Sequence, residues 1–382
     1  MNSEVLIIGG GVIGLSIARE LHRKGTGRIA VLDQGMIGRE SSFAAAGMLA
    51  PQAETDRPDD FFHLCDESNR LYPQFAEELL EETGIDIELD RSGTFYLAFD
   101  ETDVEDIRRR FGWQSAAGLR VEHLTAPDLR RAEPFISPDV REGLFFPDDR
   151  QVENRLLLSA LRRYAETFGI ELRENIRVEK LLIDRGRIAG VKTDKGELRA
   201  DRVILATGAW TSLIETDENF LARLEIKPIR GQMISFHTAK RLFTRVIYSP
   251  RGYLVPRRSG RILAGATAED AGFDKRVTES GIDFVRGHAL EISPGLVNLP
   301  TDETWAGLRP LAPLDALPVL GEMEEAKGLF IATAHYRNGI LLAPLTAKIM
   351  ADKIAENLNS KYLEVFGARR FKGSGRSAAG GE

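Results

Sequence analysis

Three glycines near the N-terminus, Gly9, Gly11 and Gly14, form the pattern G-x-G-x-x-G directly after the apolar residues 5–8. In a turn from a strand into a helix, the first glycine permits the tight turn, the second lets a pyrophosphate approach the backbone, and the third lets helix and strand pack closely. The N–H groups and dipole at the helix start then favour a bound anion. The pattern predicts a dinucleotide site, although glycine-rich turns also arise for structural reasons alone.

The residues around this triplet support the same interpretation. Residues 12–24 carry apolar side chains at helical spacing, and residues 29–32 form a second apolar run that ends at Asp33. A carboxylate about 20 residues after the glycines accepts hydrogen bonds from ribose hydroxyls. It also disfavours a 2′-phosphate, which argues against NADP. These features predict a strand–helix–strand unit for a dinucleotide without separating FAD from NAD.

Two arginines and one tyrosine could hold a small anionic substrate. Arg309 stands in the mainly apolar stretch 305–310, Arg337 in the stretch 335–344, and Tyr253 in the stretch 251–256. A substrate carboxylate in a water-poor site favours the paired N–H donors of Arg over the point charge of Lys. Each arginine could instead pair with an acid of the protein itself, because charges are seldom buried unpaired. Tyr253 could equally be an aromatic residue of an amphipathic strand.

The composition excludes several other classes of protein. The 382 residues suggest two domains, and a formal charge of −7 with a pI near 5.6 gives no reason to expect nucleic acid as a partner. Cys65 is the single cysteine, so we expect no internal disulfide, no zinc site or other metal site, and a reducing, cytoplasmic setting. Residues 5–8 lack a basic flank and are followed by glycines, so we predict neither a signal peptide nor a membrane span.

The order of apolar runs predicts an α/β fold with an α+β second domain. We expect helices near residues 61–83, 153–168 and 342–354, buried strands near 203–206 and 329–332, and an antiparallel block over 228–266. A Rossmann-like dinucleotide-binding domain would then be discontinuous, comprising residues 1–85, 145–215 and 320–366. A substrate-binding domain with a mainly antiparallel sheet would take 86–144 and 216–319. The Gly- and Ser-rich residues 367–382 are predicted to form a disordered tail.

Four stretches of the chain carry a resemblance to a known family. They are SSFAAAGML at 41–49, GYLVPRRSGR at 252–261, WAGLRP at 305–310 and HYRNGILLAP at 335–344. Together with the N-terminal unit and the turn at 206–210, they resemble the D-amino acid oxidase superfamily of FAD-dependent flavoproteins, and most closely its glycine oxidase group. The resemblance extends over nearly the whole chain, to about Phe366.

This resemblance implies FAD as the cofactor, and it implies which residues hold it. Related amine oxidases tether flavin through a cysteine near the C-terminal motif, and Cys65 is far from that motif in sequence, so we expect FAD to be non-covalent. The residues predicted to hold the cofactor are Gly9, Gly11, Val12, Ile13, Gly14, Asp33, Ser41, Ser42, Ala46, Gly47, Met48, Val178, His335, Tyr336, Arg337, Asn338, Gly339, Ile340 and Leu341.

By the same resemblance, Arg309 is the principal clamp on the substrate carboxylate, with Arg337 and Tyr253 in support. No side chain is predicted to act as a general base, because hydride passes from the substrate α-carbon to flavin N5. The expected reaction oxidises glycine, sarcosine or small D-amino acids with dioxygen, and for glycine, with water, it gives glyoxylate, ammonia and hydrogen peroxide. Arg251 and Ala268 differ from the residues often found in this group, which leaves the ranking of substrates open.

The resemblance also implies partners, and two other functions stay open. We expect a homo-oligomer, with possible hand-off of the imine product to the thiazole-forming enzyme of thiamine biosynthesis. One alternative is a D-amino acid dehydrogenase that passes electrons to a quinone instead of oxygen. The other is a flavin-binding protein without catalysis.

Overall fold

A computed structural model describes residues 3–373 of the chain. The strands are β1 (Ser3–Ile8), β2 (Ile29–Leu32), β3 (Met48–Leu49), β4 (Thr94–Ala98), β5 (Glu122–Thr125), β6 (Glu142–Phe146), β7 (Arg150–Gln151), β8 (Glu171–Arg173), β9 (Val178–Asp184), β10 (Arg187–Thr193), β11 (Gly196–Leu205), β12 (Lys227–His237), β13 (Val246–Ser249), β14 (Gly252–Pro256), β15 (Arg261–Gly265), β16 (Glu303–Leu311), β17 (Val319–Glu322) and β18 (Leu329–Thr333). The α-helices are α1 (Val12–Arg23), α2 (Ser41–Ala44), α3 (Pro51–Glu54), α4 (Asp60–Thr83), α5 (Glu101–Ala116), α6 (Ala126–Ala132), α7 (Asn154–Thr167), α8 (Glu279–Ile292), α9 (Gly339–Glu356) and α10 (Lys361–Val365). Short 3₁₀ helices cover Gly208–Leu213, Ala222–Leu224, Pro294–Asn298 and Ala368–Gly373.

The first sheet has the parallel core that the apolar runs predict. Its strand order is β17-β18-β11-β1-β2-β8, in which only the β17–β18 pair is antiparallel. An antiparallel extension of β9 and β10 joins it at β11. Helices α1, α4, α7 and α9 cover one face, where Ile17, Leu161 and Leu345 are buried together. Because the central part of this sheet is covered on both faces, the paired segments 5–8, 29–32 and 203–205 are apolar throughout.

The second sheet is mainly antiparallel, and its strands lie in the segments proposed for the substrate domain, except for the last two residues of β6. Its order is β16-β12-β15-β14-β13-β4-β6-β5, and only the β13–β4 pair is parallel. Helix α8 packs on β12, where Val285 and Ile234 share one apolar core. A two-stranded sheet of β3 and β7 lies apart from both larger sheets.

Most predicted elements are confirmed, with shifts at their ends. Helix α9 begins at Gly339, earlier than the predicted residue 342, and it contains Pro344. A proline donates no N–H to the carbonyl four residues before it, which here is Ile340. The hydroxyl of Tyr72 donates to that carbonyl instead, so the helix tolerates the proline.

The predicted tail begins too early. Residues Ala368–Gly373 form a 3₁₀ helix, and Arg370 holds it to the loop between β16 and β17 by an ion pair with Asp315 at 2.7 Å. The side chain of Phe371 is buried against the apolar core. This buried aromatic fixes residues 368–373 locally, although their Gly- and Ser-rich surroundings predicted disorder. Residues 374–382 of the predicted tail lie outside the described residues.

The α/β fold class is confirmed. The strands of the first sheet all come from the segments predicted for the dinucleotide domain, except for the first residue of β17. We retain the two-domain division as a proposal. Within residues 3–373, no helix is long and apolar enough to cross a membrane, and no cluster of His, Cys, Asp and Glu is suited to a metal ion.

Candidate functional site

The glycine turn has the geometry that its spacing predicts. Gly9 has φ of +106°, and a Cβ there would lie 2.3 Å from the Ala206 carbonyl oxygen. A Cβ on Gly14 would lie 2.0 Å from the Gly9 carbonyl oxygen, so Gly14 allows helix α1 to pack on the turn. Gly11 faces a cavity, where its nearest neighbour would be Ser42 Oγ at 3.3 Å. The first and third glycines serve packing, whereas the second leaves open space for a ligand.

Asp33 lies at the end of β2 with both carboxylate oxygens in use. Its Oδ2 accepts from Gly10 N and its Oδ1 from Gly35 N, each at 2.9 Å. Burial raises its pKa, and these two backbone hydrogen bonds oppose that effect. A carboxylate offers about four acceptor sites, so Asp33 keeps capacity for the ribose hydroxyls that its position predicts.

The small-residue segment 41–48 is tied to the start of helix α1 and to the second sheet. Ser42 Oγ accepts from Val12 N at 3.1 Å, at the start of helix α1. Trp305 Nε1, on β16 of the second sheet, donates to the Ala44 carbonyl at 3.0 Å. The segment is therefore fixed in position between the glycine turn and the second sheet.

Arg257 is a buried arginine that was not predicted from the sequence. Its Nη2 donates to the Ala46 carbonyl at 2.6 Å and its Nη1 to the Val152 carbonyl at 2.9 Å. Its Nε lies 3.1 Å from Glu153 Oε2, and burial lowers its pKa. A buried cation with carbonyl acceptors holds the backbone of the small-residue segment rigidly. The sequence did hold a signal for Arg257, because this arginine lies in GYLVPRRSGR, one of the four stretches that carry the family resemblance.

One cavity of about 620 Å³ joins the predicted cofactor residues to the predicted substrate residues. It is lined by Gly9, Gly11, Val12, Ile13, Asp33, Ser41, Ser42, Ala46, Gly47, Met48, Val178, Tyr253, Arg309, His335, Tyr336, Arg337, Asn338, Gly339 and Ile340. Gly14 and Leu341 do not line it. Leu341 is buried in the core, and its carbonyl accepts from Ser68 Oγ at 2.7 Å. The Leu341 carbonyl is therefore already hydrogen-bonded to helix α4, and Leu341 does not line the cavity.

Arg309 reaches into this cavity from β16. A Cβ on Gly231, in the neighbouring strand β12, would lie 2.2 Å from Arg309 Nη2, so the guanidinium lies over bare backbone. Its Nη1 donates to the Thr267 carbonyl at 2.9 Å. Within residues 3–373, Arg309 forms no ion pair, and its side chain is half-buried. This cation therefore has donors available for an anionic ligand.

Tyr253 lies beside Arg309 on β14. Its ring covers Gly265, where a Cβ would lie 2.5 Å from the phenol oxygen. Burial raises the pKa of Tyr253, although the charge of Arg309 opposes this effect. The phenol therefore keeps its proton at neutral pH and can donate a hydrogen bond. Gly231 and Gly265 therefore leave room for the side chains of Arg309 and Tyr253.

Arg337 pairs with an acid of the protein, which was the open alternative for both arginines. Its Nη2 lies 3.0 Å from Glu54 Oε1 and 2.8 Å from the Tyr248 hydroxyl oxygen. The charge of Glu54 is the largest cause that raises the pKa of Arg337. The side chain of Arg337 is 40% exposed, whereas that of Glu54 is 9% exposed. Glu54 and Tyr248 also line the cavity, and neither was predicted from the sequence.

His335 is a neutral buried side chain at the cavity wall. It is 4% exposed, and its Nε2 lies 3.1 Å from Thr346 Oγ1. Burial lowers its pKa to about 3. An imidazole with this pKa carries no charge at neutral pH, so it contributes packing and one hydrogen bond to the loop 335–338 rather than a charge.

This burial predicts an acid sensitivity that depends on His335. Between pH 6.5, its pKa in the unfolded chain, and about pH 3, its pKa in the folded chain, His335 binds a proton in the unfolded chain but not in the folded one. The stability from neutral His335 is therefore complete above pH 6.5 and declines as the pH falls, by at most about 1.4 kcal/mol per pH unit. We expect His335→Gln to flatten the loss of unfolding free energy between pH 6.5 and 4.5, as measured by urea denaturation. Parallel curves for wild type and variant would contradict a neutral His335.

Three further residues bear on the predicted site. Cys65 is fully buried in helix α4 and does not line the cavity, and burial raises the pKa of its thiol. It therefore offers no thiolate beside the cofactor residues. Arg251 and Ala268, which depart from the residues often found in the family, both line the cavity.

Comparison with known proteins places this site in a family. The profile of the family described as FAD dependent oxidoreductase (DAO) matches residues 4–353. The chain belongs to this family of FAD-dependent oxidoreductases, and FAD is its cofactor. The open space at Gly11 and the carboxylate at Asp33 fit that cofactor.

Individual proteins are similar to the chain over almost all of its length. The chain is 34% identical over 373 residues to the glycine oxidase of Geobacillus kaustophilus, with 97% of each chain covered. The crystal structure of glycine oxidase from Bacillus cereus aligns with a TM-score of 0.89 at 33% identity, covering 96% of this chain and 98% of that one. The bifunctional protein ThiO/ThiG of Trichormus variabilis is 36% identical over 376 residues. The chain spans about half the length of that relative, 56%, while 97% of the chain is covered.

Proposed function

We propose that the chain is an amino-acid oxidase of the glycine oxidase type. It oxidises glycine, and with it sarcosine or small D-amino acids, using dioxygen as the electron acceptor. For glycine, water and dioxygen enter, and glyoxylate, ammonia and hydrogen peroxide leave. The observation that carries the proposal is the single cavity shared by the dinucleotide turn and by Arg309, which forms no ion pair within residues 3–373.

The residues of the chain act in this reaction by binding and orientation. Arg309 binds the substrate carboxylate with the donors that Thr267 leaves free, and Tyr253 donates its phenol proton to the same carboxylate. Arg337 uses Nη2 for Glu54 and Tyr248, so its other donors remain for the carboxylate. Bound FAD supplies the hydride acceptor and returns the electron pair to dioxygen.

No side chain is needed to remove a proton from the substrate carbon. Once the carboxylate is fixed at one end, the short amino acid has little freedom left at the other, which favours a reactive orientation. The apolar neighbours Met233 and Ala266 also line the cavity and limit the water around the reacting carbon. His335 is neutral and bonded to Thr346, so it is not assigned a proton-transfer role.

The likeness to bifunctional ThiO/ThiG proteins supports a place in thiamine biosynthesis, as part of this proposal. The imine product would then pass to a thiazole-forming enzyme before water reaches it. We also propose that the chain forms a cytoplasmic homo-oligomer. We propose that it holds FAD without a covalent bond, since Cys65 is buried and does not line the cavity.

An aerobic substrate panel tests the proposed reaction. Purified yellow protein is mixed with glycine, sarcosine, D-alanine and L-alanine, and hydrogen peroxide is measured with a peroxidase-coupled dye. We expect peroxide with the first three substrates and glyoxylate from glycine in equal amount. Flavin reduction by substrate without peroxide would favour a dehydrogenase that uses a quinone, and no reduction at all would favour a flavin-binding protein without catalysis.

A further inference from the structure

Glu54 lies in the substrate end of the cavity on a segment that is held from several sides. It ends the short helix α3, and Gln52 N, at the start of that helix, donates to Asp149 Oδ1 at 3.2 Å. The Gln52 side chain donates in turn to Gln114 Oε1 at 2.8 Å. The backbone that carries Glu54 is therefore fixed by buried hydrogen bonds.

The residues that flank Glu54 are held by a second anchor. Arg110 Nη1 donates to the Ala53 carbonyl at 3.2 Å and to the Thr55 carbonyl at 2.8 Å. Because the backbone on both sides of Glu54 is bound in this way, moving that backbone away from the cavity would break these hydrogen bonds. The charge of Glu54 stays beside Arg337, 3.0 Å away.

The cations at this end of the cavity differ in their pairing. Arg337 is paired with Glu54, and Arg251 is paired with Asp100 at 2.9 Å and with Glu291 at 3.0 Å. Arg309 forms no ion pair among residues 3–373. The substrate end of the cavity therefore presents one unneutralised cation.

The remaining cations of the cavity wall lie at its other end. These cations are Arg177, Lys180 and Lys192. Arg177 follows Ile176, whose backbone N donates to the Asp33 carbonyl at 2.9 Å, and Lys192 pairs with Lys180 in the neighbouring strand. They therefore belong to the dinucleotide end and do not alter the charge balance around Arg309.

From this charge balance we infer that Glu54 is a specificity-determining residue, which restricts the site to amino acids with a single carboxylate. One carboxylate neutralises Arg309. A second carboxylate, on the amine nitrogen or on a side chain of the substrate, would meet Glu54, and the cation beside it, Arg337, is already paired. Two carboxylates held close together in a site with little water, and without an additional cation, repel each other. This repulsion would disfavour a ligand that carries a second carboxylate. The inference rests on the proposed function, since it assumes that Arg309 binds the substrate carboxylate.

Two ligands that cannot be oxidised separate one carboxylate from two. Methoxyacetate has the shape of sarcosine with oxygen in place of nitrogen, and diglycolate adds a second carboxylate to it. Dissociation constants for the FAD-loaded protein are measured from the change in the visible flavin spectrum. We expect wild type to prefer methoxyacetate and Glu54→Gln to shift the ratio of the two constants at least tenfold towards diglycolate. An unshifted ratio would overturn the inference.

Matched variants distinguish the Glu54 charge from a general disturbance. Glu54→Asp keeps the charge and should keep the wild-type preference. Asp56→Asn removes a carboxylate two residues away, which pairs with Arg110 outside the cavity lining, and should leave the ratio unchanged. A shift in either variant as large as that in Glu54→Gln would also overturn the inference.

A second variant keeps the test available if Glu54→Gln fails to fold. Arg337→Gln leaves Glu54 without its cation, so the preference for methoxyacetate should grow beyond that of wild type. A preference that does not grow overturns the inference. Failure of the proposed function is separate, because it appears in wild type as no flavin reduction by glycine, whatever the ratio of the two ligands.

Discussion

Gly11→Val should yield a folded protein that purifies without yellow colour. Gly11 has φ of −76° and ψ of −177°, a backbone conformation that valine adopts without strain, and its Cβ would meet only Ser42 Oγ at 3.3 Å. The branched side chain would occupy the space that the pyrophosphate needs beside the start of α1. We expect FAD affinity to fall about 100-fold or more, measured as absorbance at 450 nm per chain after incubation with FAD.

Gly112→Ala is the matched control for this change. Gly112 lies within α5, and a Cβ there meets nothing within 4 Å. Alanine also favours a helix more than glycine does, so this variant should be yellow and at least as stable as wild type. A Gly11→Val protein with a full complement of FAD would remove the glycine turn from the cofactor site.

Arg309→Ala should raise the KM for glycine about 100-fold while FAD stays bound. The variant loses charge-assisted hydrogen bonds to the substrate carboxylate in a site with little water, and a loss of about 3 kcal/mol corresponds to that factor. Arg309 approaches Gly231 and Thr267 rather than any residue of the glycine turn, so the flavin spectrum should remain close to wild type. Steady-state kinetics with glycine measure the effect.

Two comparisons make this result specific. Arg309→Lys keeps the charge but loses the paired donors, so its KM should lie between wild type and Arg309→Ala. Arg276→Ala removes a cation that is 86% exposed and does not line the cavity, and its KM should be unchanged. A wild-type KM in Arg309→Ala would show that another group binds the carboxylate.

The parallel sheet and the glycine turn could be predicted because their signals are local. Residues 5–8 and 29–32 are continuous apolar runs, and the register Ile7↔Val31 places them side by side as central strands. The role of Gly14 follows from its contact with the Gly9 carbonyl within the same short unit, whereas Gly9 itself packs against Ala206 at the end of a distant strand. Local sequence was sufficient wherever the partners lie close together in the chain.

The residues missed at the site are those whose partners are distant in sequence. Glu54 meets Arg337, which is 283 residues away, and Arg257 holds the Ala46 carbonyl across 211 residues. Neither pairing leaves a periodic pattern, because it depends on how the two larger sheets meet. The buried anchor Phe371 was missed for a related reason, since one aromatic in a Gly- and Ser-rich stretch has no local signal.

Anaerobic addition of glycine to the purified yellow protein tests the central claim most directly. If one cavity holds FAD and places a small amino acid against it through Arg309, the flavin absorbance at 450 nm should bleach fully with excess glycine and return when air is admitted. A yellow protein that keeps its full absorbance in glycine, sarcosine and D-alanine would contradict that claim.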